Sequence, residues 1–161
     1  MDFGGFSGQA LSLASDKGRY VLPPAFRKAL KESSGGRIVC LDSHPTMTCL
    51  LGFGLSRKAD LMARLDREEE LAFGAGREFD RDTRAAQLFG FAERPFDDSG
   101  RFVMPDHLRN LAELDEHLYF QGGGASFTIW NPRELMKMGR DWATAKAACD
   151  AFMAELEGKK K

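Results

Sequence analysis

The 161-residue chain has little of what marks several protein classes. Three cysteines, Cys40, Cys49 and Cys149, are too few and too scattered for a disulfide framework or a paired C-x-x-C zinc site. Its apolar runs are short, so we expect no membrane span. Residues 1–5 lack the basic and apolar regions of a secretory signal. We therefore expect a reduced cytoplasmic protein.

The net charge is also close to zero, at −1, because the chain has 23 basic and 24 acidic residues. This excludes an overall basic coat for nucleic acid but leaves room for a local basic patch. Apolar residues make up 43% of the chain and charged residues 29%. That composition supports a folded core in one ordinary domain or in two very small ones.

An internal repeat is the strongest signal in the sequence. Residues 15–27 read SDKGRYVLPPAFR and residues 97–109 read DDSGRFVMPDHLR, in register and without a gap. The identical pairs are Asp16/Asp98, Gly18/Gly100, Arg19/Arg101, Val21/Val103, Pro23/Pro105 and Arg27/Arg109. Two apolar segments and a turn follow each copy. The chain therefore divides into two half-domains, residues 1–76 and 77–161. Each is too small to bury much alone, so we expect them to pack about a pseudo-two-fold axis.

Local patterns predict the elements of each half. Asp-x-Gly-Arg is turn chemistry, because Gly supplies a positive φ, and it is expected to close a hairpin between strands at 10–14 and 19–22. A short helix at 24–32 follows, and then a hairpin that turns at 43–45. Amphipathic spacing predicts further helices at 55–73 and 82–89 and one long helix at 132–156.

The repeat resembles the MraZ family of bacterial transcriptional regulators, which are tandem relatives of the AbrB swapped-hairpin fold. The family motif is Asp-x-x-x-Arg in each half, with Gly before the Arg and Pro ending the following strand. The second copy, from Asp97 through Gly100 to Arg101, fits this motif. In the first copy Ser15 stands at the Asp position, and the acid comes one residue later at Asp16.

The resemblance implies both a fold and an activity. The fold would be mainly β with peripheral helices (α+β), a double-split β-barrel of two pseudo-two-fold-related, AbrB-like half-domains. The activity would be sequence-specific binding of double-stranded DNA at short promoter repeats, as a repressor of its own division and cell-wall gene cluster. Members form closed homo-oligomeric rings and have no enzyme chemistry, cofactor or small-molecule substrate. The protein would then be associated with the nucleoid.

Charge distribution then selects candidate site residues. Residues 15–31 hold five basic residues and one acidic, whereas residues 97–113 hold two basic and four acidic. We therefore expect the first turn to approach DNA and the second to be mainly structural. Arg19 would read guanine or clamp a phosphate, Lys17 would contact phosphate, and Gly18 would let the backbone come close. Arg101 is the second candidate for DNA contact.

The remaining repeat residues have structural interpretations. Ser15, Asp16, Asp97 and Gly100 would shape the two turns. Arg27 and Arg109 would form surface or inter-half ion pairs.

Three alternatives remain open from the sequence. The first is an aspartic-protease-like dyad of Asp16 and Asp98, which the adjacent lysine and arginines disfavour. The second is a metal site at Cys40, His44 and Cys49, although the two cysteines lie in apolar segments that favour burial. The third is a ring-forming protein-interaction scaffold that does not bind DNA.

Overall fold

The computed structural model describes residues 3–14 and 18–159. These residues form eight strands and six helices, which confirms an α+β fold. In chain order the elements are β1 (Gln9–Leu13), β2 (Arg19–Val21), α1 (Pro24–Ser34), β3 (Ile38–Ser43), β4 (Leu50–Phe53), α2 (Arg57–Gly74), α3 (Arg81–Phe89), β5 (Ala92–Pro95), β6 (Arg101–Val103), α4 (Asp106–Leu111), β7 (His117–Gly122), β8 (Phe127–Trp130), α5 (Pro132–Met136) and α6 (Ala143–Lys159).

The strands form one six-stranded antiparallel sheet, in the order β1-β7-β8-β4-β3-β5, and a separate two-stranded ribbon of β2 and β6. Exchanging the halves replaces β1 by β5, β2 by β6, β3 by β7 and β4 by β8, and this reproduces both sheets. Equivalent registers agree as well, since Ala10 lies opposite Phe120 and Ala92 lies opposite Leu41. Strands β1 and β5 lie at the two edges, and strand pairing among the described residues does not close a barrel.

The predicted local hairpins around the two repeat turns are wrong. Strand β1 pairs with β7 and β5 pairs with β3, whereas β2 and β6 pair with each other. Each strand that flanks a turn therefore takes its partner from the opposite half of the chain. This pairing buries Tyr20 opposite Phe102 in a core that both halves share, which neither half could build alone.

The ribbon covers the main core of the sheet. Its inward residues Tyr20 and Phe102 belong to one buried cluster with Leu41, Phe120 and Phe127 of the sheet. Helix α1 adds Phe26, whose ring packs edge-on against Phe127 with the centroids 5.1 Å apart. The ribbon is thus fixed on its inner side, and only its outer side faces solvent.

Four sequence predictions for the first half and its junction are confirmed. Helix α1 follows Pro23 and ends at Gly35, which adopts φ 70° and donates its backbone N–H to the Lys31 carbonyl. Strands β3 and β4 form the expected hairpin. Helices α2 and α3 lie where amphipathic spacing places them, and Asp80 caps α3 by accepting a hydrogen bond from the Thr83 backbone N–H.

The single helix predicted at 132–156 is wrong, because the structure divides it into α5 and α6. The break occurs at Gly139, which is extended (φ −76°, ψ −170°), and a 3-10 turn at Arg140–Trp142 follows. This bend places the Trp142 ring edge-on to Trp130, with the centroids 5.0 Å apart. None of the helices in the described part of the chain is both long enough and apolar enough to cross a membrane.

Candidate nucleic-acid interface

The outer face of the β2–β6 ribbon carries the arginine of each repeat copy. In the antiparallel register Arg19 lies opposite Val103, and Arg101 lies opposite Val21. Because side chains alternate along a strand, these four residues share the face away from the buried Tyr20. Arg19 and Arg101 are both exposed and occupy diagonal positions, which are close enough for long side chains to act together.

The second repeat turn is held by its own aspartate. The Asp97 Oδ1 atom accepts hydrogen bonds from the backbone N–H groups of Ser99 and Arg101, both at 2.9 Å. These bonds to the charged form, the one from Arg101 above all, hold the pKa of Asp97 below its usual value. Arg101 also approaches the same carboxylate, with Nε 3.6 Å from Oδ2. The turn is therefore preorganised, and its arginine remains half exposed.

Gly100 is required at this turn for two reasons. Its φ is 84°, a conformation that residues with a Cβ rarely adopt. A Cβ there would also lie 2.7 Å from the Leu22 carbonyl oxygen and 2.9 Å from Cδ of Arg27. The Gly100 carbonyl itself accepts a hydrogen bond of 2.8 Å from the Leu22 N–H, which joins the turn to the other half.

Two arginines of the first half support the second turn. Arg27 in α1 donates from Nη1 to the Asp98 carbonyl oxygen at 3.1 Å, and Arg37 forms an ion pair with the Asp98 carboxylate. The equivalent Arg109 lies near the first turn, with Nη1 3.7 Å from where a Cβ on Gly18 would be. Its ion pair is with Asp106 in its own helix, at 2.9 Å.

This arrangement corrects the charge argument made from the sequence. The predicted contrast counted Arg27 with the first turn, whereas its guanidinium contacts the second. Antiparallel pairing also places both repeat arginines on one ribbon face. Charge counted along the chain therefore does not separate a DNA-facing turn from a structural one. Arg27 does contact the other half, but by a hydrogen bond to a backbone carbonyl and not by an ion pair. Arg109 forms its ion pair within its own helix, α4.

The structure brings most of the predicted site residues to one place. A cleft of about 370 Å³ is lined by both repeat arginines and by Pro95, Phe96, Asp97, Phe102 and Val103. Gly18 (φ 70°) and Gly100 directly precede the two ribbon strands. Ser15, Asp16 and Lys17 lie outside the described residues. Sequence reasoning missed Phe96, whose only signal is its position directly before Asp97. It also missed the support from Arg37, which is distant from the second turn in sequence and reaches Asp98 only through the fold.

Among the described residues, the alternative sites considered from the sequence are not assembled, and Asp16 of the carboxylate dyad lies outside that part of the chain. Cys40 and Cys49 are buried in different clusters, as their apolar segments predicted, and burial raises the pKa of each thiol to about 12. His44 accepts hydrogen bonds at Nδ1 from the backbone N–H groups of Thr46 and Met47. Asp98 is exposed and paired with Arg37. Within the ranges described, no three His, Cys, Asp or Glu residues are grouped to hold a metal ion.

Arg27→Met should loosen the second turn without unfolding the protein. The change removes the hydrogen bond to the Asp98 carbonyl, which we expect to cost about 1 kcal/mol, while keeping a long apolar stem. Amide hydrogen exchange at residues 99–101 is expected to become at least several-fold faster. Lys28→Met, at an exposed position of the same helix, is the control. Equal exchange in the two variants would show that Arg27 does not support the turn.

Comparison with known proteins gives consistent relatives, although no protein-family model matches the chain. The transcriptional regulator MraZ of Methylococcus capsulatus is 34% identical over 128 residues, which cover 79% of this chain and 79% of that protein. The protein of the same name from Thiobacillus denitrificans is 31% identical over 156 residues, covering 95% and 97%. That from Gluconobacter oxydans is 33% identical over 119 residues, covering 72% and 69%. With the duplicated turn and the interleaved halves described above, these similarities show that the chain belongs to the MraZ family.

Proposed function

We propose that this protein is a sequence-specific DNA-binding transcriptional regulator that contacts DNA through the outer face of the β2–β6 ribbon. The observation that carries the proposal is that both repeat arginines project from one exposed face of a two-stranded ribbon. The major groove of B-DNA, about 12 Å wide, admits a ribbon of this kind. The names of the relatives, transcriptional regulator MraZ, support the same role.

Each candidate residue has a distinct part in the proposed contact. Arg19 and Arg101 read guanine by bidentate hydrogen bonds or clamp a phosphate. Gly18 lets the backbone approach the duplex, and Lys17 adds a phosphate contact. Asp97 and Gly100 hold the second turn in shape, and Ser15 and Asp16 do the same at the first. Because the two arginines share a face, we propose that both of them contact DNA.

One ribbon neutralises few phosphates, so a single copy binds weakly and loses affinity as salt rises. We propose that several copies in a closed ring engage successive short repeats, which adds avidity without new contacts. In each copy the halves 1–76 and 77–161 interleave as a double-split barrel, with the ribbon over the sheet. The regulated target would be the protein's own division and cell-wall gene cluster, under repression, and the protein would sit on the nucleoid.

DNase footprinting on the upstream region tests the proposal, with wild type and Arg19→Ala compared side by side. The wild type is expected to protect short repeats, and its affinity should fall steeply between low and moderate salt. Arg19→Ala should lose the protection. Arg140→Ala, at an exposed arginine of the 3-10 turn, should keep it. If the wild type protects no DNA at any salt concentration, the protein-interaction scaffold becomes the better account.

A further inference from the structure

Helices α2 and α3 form an arm. Arg81 at the start of α3 forms ion pairs with Asp66 and Glu69 near the end of α2, both at 2.9 Å. Near the other end of the arm, Leu88 of α3 belongs to one buried cluster with Leu61 of α2. The helices are therefore antiparallel, and the last residues of α2 together with the segment that follows them, residues 71–79, form the tip of the arm.

The tip exposes apolar side chains to an unusual degree. Phe73 is 87% exposed and Leu71 is 61% exposed. Glu70 and Glu78 beside them are exposed and form no ion pair with the described residues, and one arginine, Arg77, lies between them. Two large apolar side chains exposed to this degree on one short segment, with carboxylates before and after them in sequence, form a candidate contact surface.

A groove with complementary chemistry lies at the base of the same arm. Its volume is about 490 Å³, and Phe53, Leu61 and Leu88 contribute apolar walls. Arg57, Arg64 and Arg84 line it against a single lining carboxylate, that of Asp42.

Arg57 and Arg64 of the groove have donors left for another anion, whereas Arg84 already donates to Glu68 through Nε and Nη2 and to Gln87 through Nη1. Arg64 and Arg84 share one carboxylate, Glu68, at 3.2 and 2.8 Å. Arg57 lies over the Phe53 ring, 5.8 Å from its centroid, and forms no ion pair with the residues that the structure describes. Partial burial lowers the pKa of Arg57, which indicates that its charge is incompletely solvated.

We propose that the tip of the arm of one copy docks into the groove of a second copy, with Phe73 on the apolar walls and Glu70 and Glu78 against the arginines. This rests on the ring assembly of the proposed function and supplies its interface. Helix α2 separates the two surfaces within a copy, because the sixteen residue steps from Arg57 to Phe73 span about 24 Å of helix. A copy cannot fill its own groove with its own tip, so the occupant is another copy.

The interface is heterologous, since the tip and the groove are different surfaces. Each docked copy presents a free tip at one side and a free groove at the other. Successive docking then continues until the rotation between neighbours closes a ring. Phe73 has the character of an interface anchor, so truncating its side chain should strongly lower the affinity of one copy for the next.

Complementary variants test this directly, using size-exclusion chromatography with light scattering. Phe73→Asp removes the tip, and Arg57→Glu reverses the charge of the groove. Each variant alone is expected to be monomeric where the wild type is a larger oligomer. Their equimolar mixture should form dimers of one copy of each and nothing larger, because only one intact tip and one intact groove remain. Met62→Asp, at a 47% exposed position of α2 outside both surfaces, should assemble as the wild type does.

The outcomes separate this interface from the proposed DNA contact. A variant that keeps the wild-type size, a mixture that stays monomeric or a wild type that is monomeric would overturn the interface. Arg57→Gln provides a milder second groove variant if Arg57→Glu does not fold by circular dichroism. The ribbon is untouched in Phe73→Asp, so a duplex with one repeat should be bound as by wild type, whereas affinity for several repeats falls about 100-fold or more. Loss of all DNA binding in the wild type, with assembly as expected, would refute the function and leave the interface standing.

Discussion

Removing both ribbon arginines together, as Arg19→Ala with Arg101→Ala, is expected to lower the affinity for promoter repeats by about 30-fold to about 10⁴-fold per bound copy. A bidentate contact to a base contributes about 1–3 kcal/mol of discrimination, and two such contacts contribute about 2–6 kcal/mol. Both side chains are exposed, so little folding stability should be lost. Titration of a labelled repeat duplex, paired with thermal unfolding of the same samples, measures both quantities.

The single variants decide how the two arginines share this work. If both contact DNA from one face, each single change should show a clear loss, and the double variant should show the largest. The charge counted along the chain, which favours the first turn as the DNA contact, predicts instead that Arg101→Ala binds DNA almost as the wild type does. That result would return the second turn to a structural role. Arg140→Ala again serves as the control for the loss of one positive charge outside the ribbon.

Gly100→Ala should be the most damaging small change at the site. A positive φ imposed on a residue with a Cβ costs about 1–3 kcal/mol, and here the added methyl also approaches the Leu22 carbonyl to 2.7 Å. Together we expect at least about 2 kcal/mol of lost stability, or a fall in Tm of about 4–8 °C or more for a domain of this size. Differential scanning calorimetry measures this, and DNA titration should show weakened binding because the turn that carries Arg101 is displaced.

Gly18→Ala is the matched comparison for this change. Its φ of 70° imposes similar backbone strain, but a Cβ there meets only Nη1 of Arg109, at an ordinary contact distance of 3.7 Å. The difference in Tm between the two variants therefore isolates the steric clash at the second turn. Equal Tm values would show that the backbone at Leu22 shifts to accommodate the methyl group without loss of stability. The close packing of the turn would then contribute nothing measurable to the free energy of unfolding.

Much of the local structure could be predicted from the sequence, but the strand partners could not. Helix α1, the β3–β4 hairpin and helices α2 and α3 follow from proline, glycine and apolar spacing, which act over a few residues. Strand pairing could not be predicted in this way, because the two halves contain similar strands. For β1 and its equivalent β5, the sequence does not distinguish a partner in the same half from a partner in the other half. The choice of β7 over β2 for β1 depends on which arrangement buries Tyr20 and Phe102 together, and no local pattern contains that information.

The candidate site was predictable to the same extent. The repeat itself identifies Arg19 and Arg101, and the Asp-x-x-x-Arg spacing identifies Asp97 and Gly100 as turn residues. That the arginines share one face depends on the register of Arg19 against Val103, which belongs to the swapped pairing. The link from Arg27 to the other turn follows from the same exchange. The break in the C-terminal helix has no clear local signal, because an isolated glycine such as Gly139 is often tolerated within a helical pattern. The bend at Gly139 instead accompanies the packing of Trp142 against Trp130, which is a tertiary contact.

The interleaved strand order has a consequence for biosynthesis. Gln9 of β1 meets Gln121 of β7, and 112 residues separate them. At roughly 5–20 residues per second, the ribosome needs about 5–20 s or more to deliver that partner. During this interval the nascent amino-terminal half carries strand edges that nothing yet covers. Folding of the sheet and ribbon is therefore expected to finish only after the chain is released, and to be slow because the paired strands are far apart in sequence. Until then we expect the exposed strand edges of the nascent chain to need protection by chaperones.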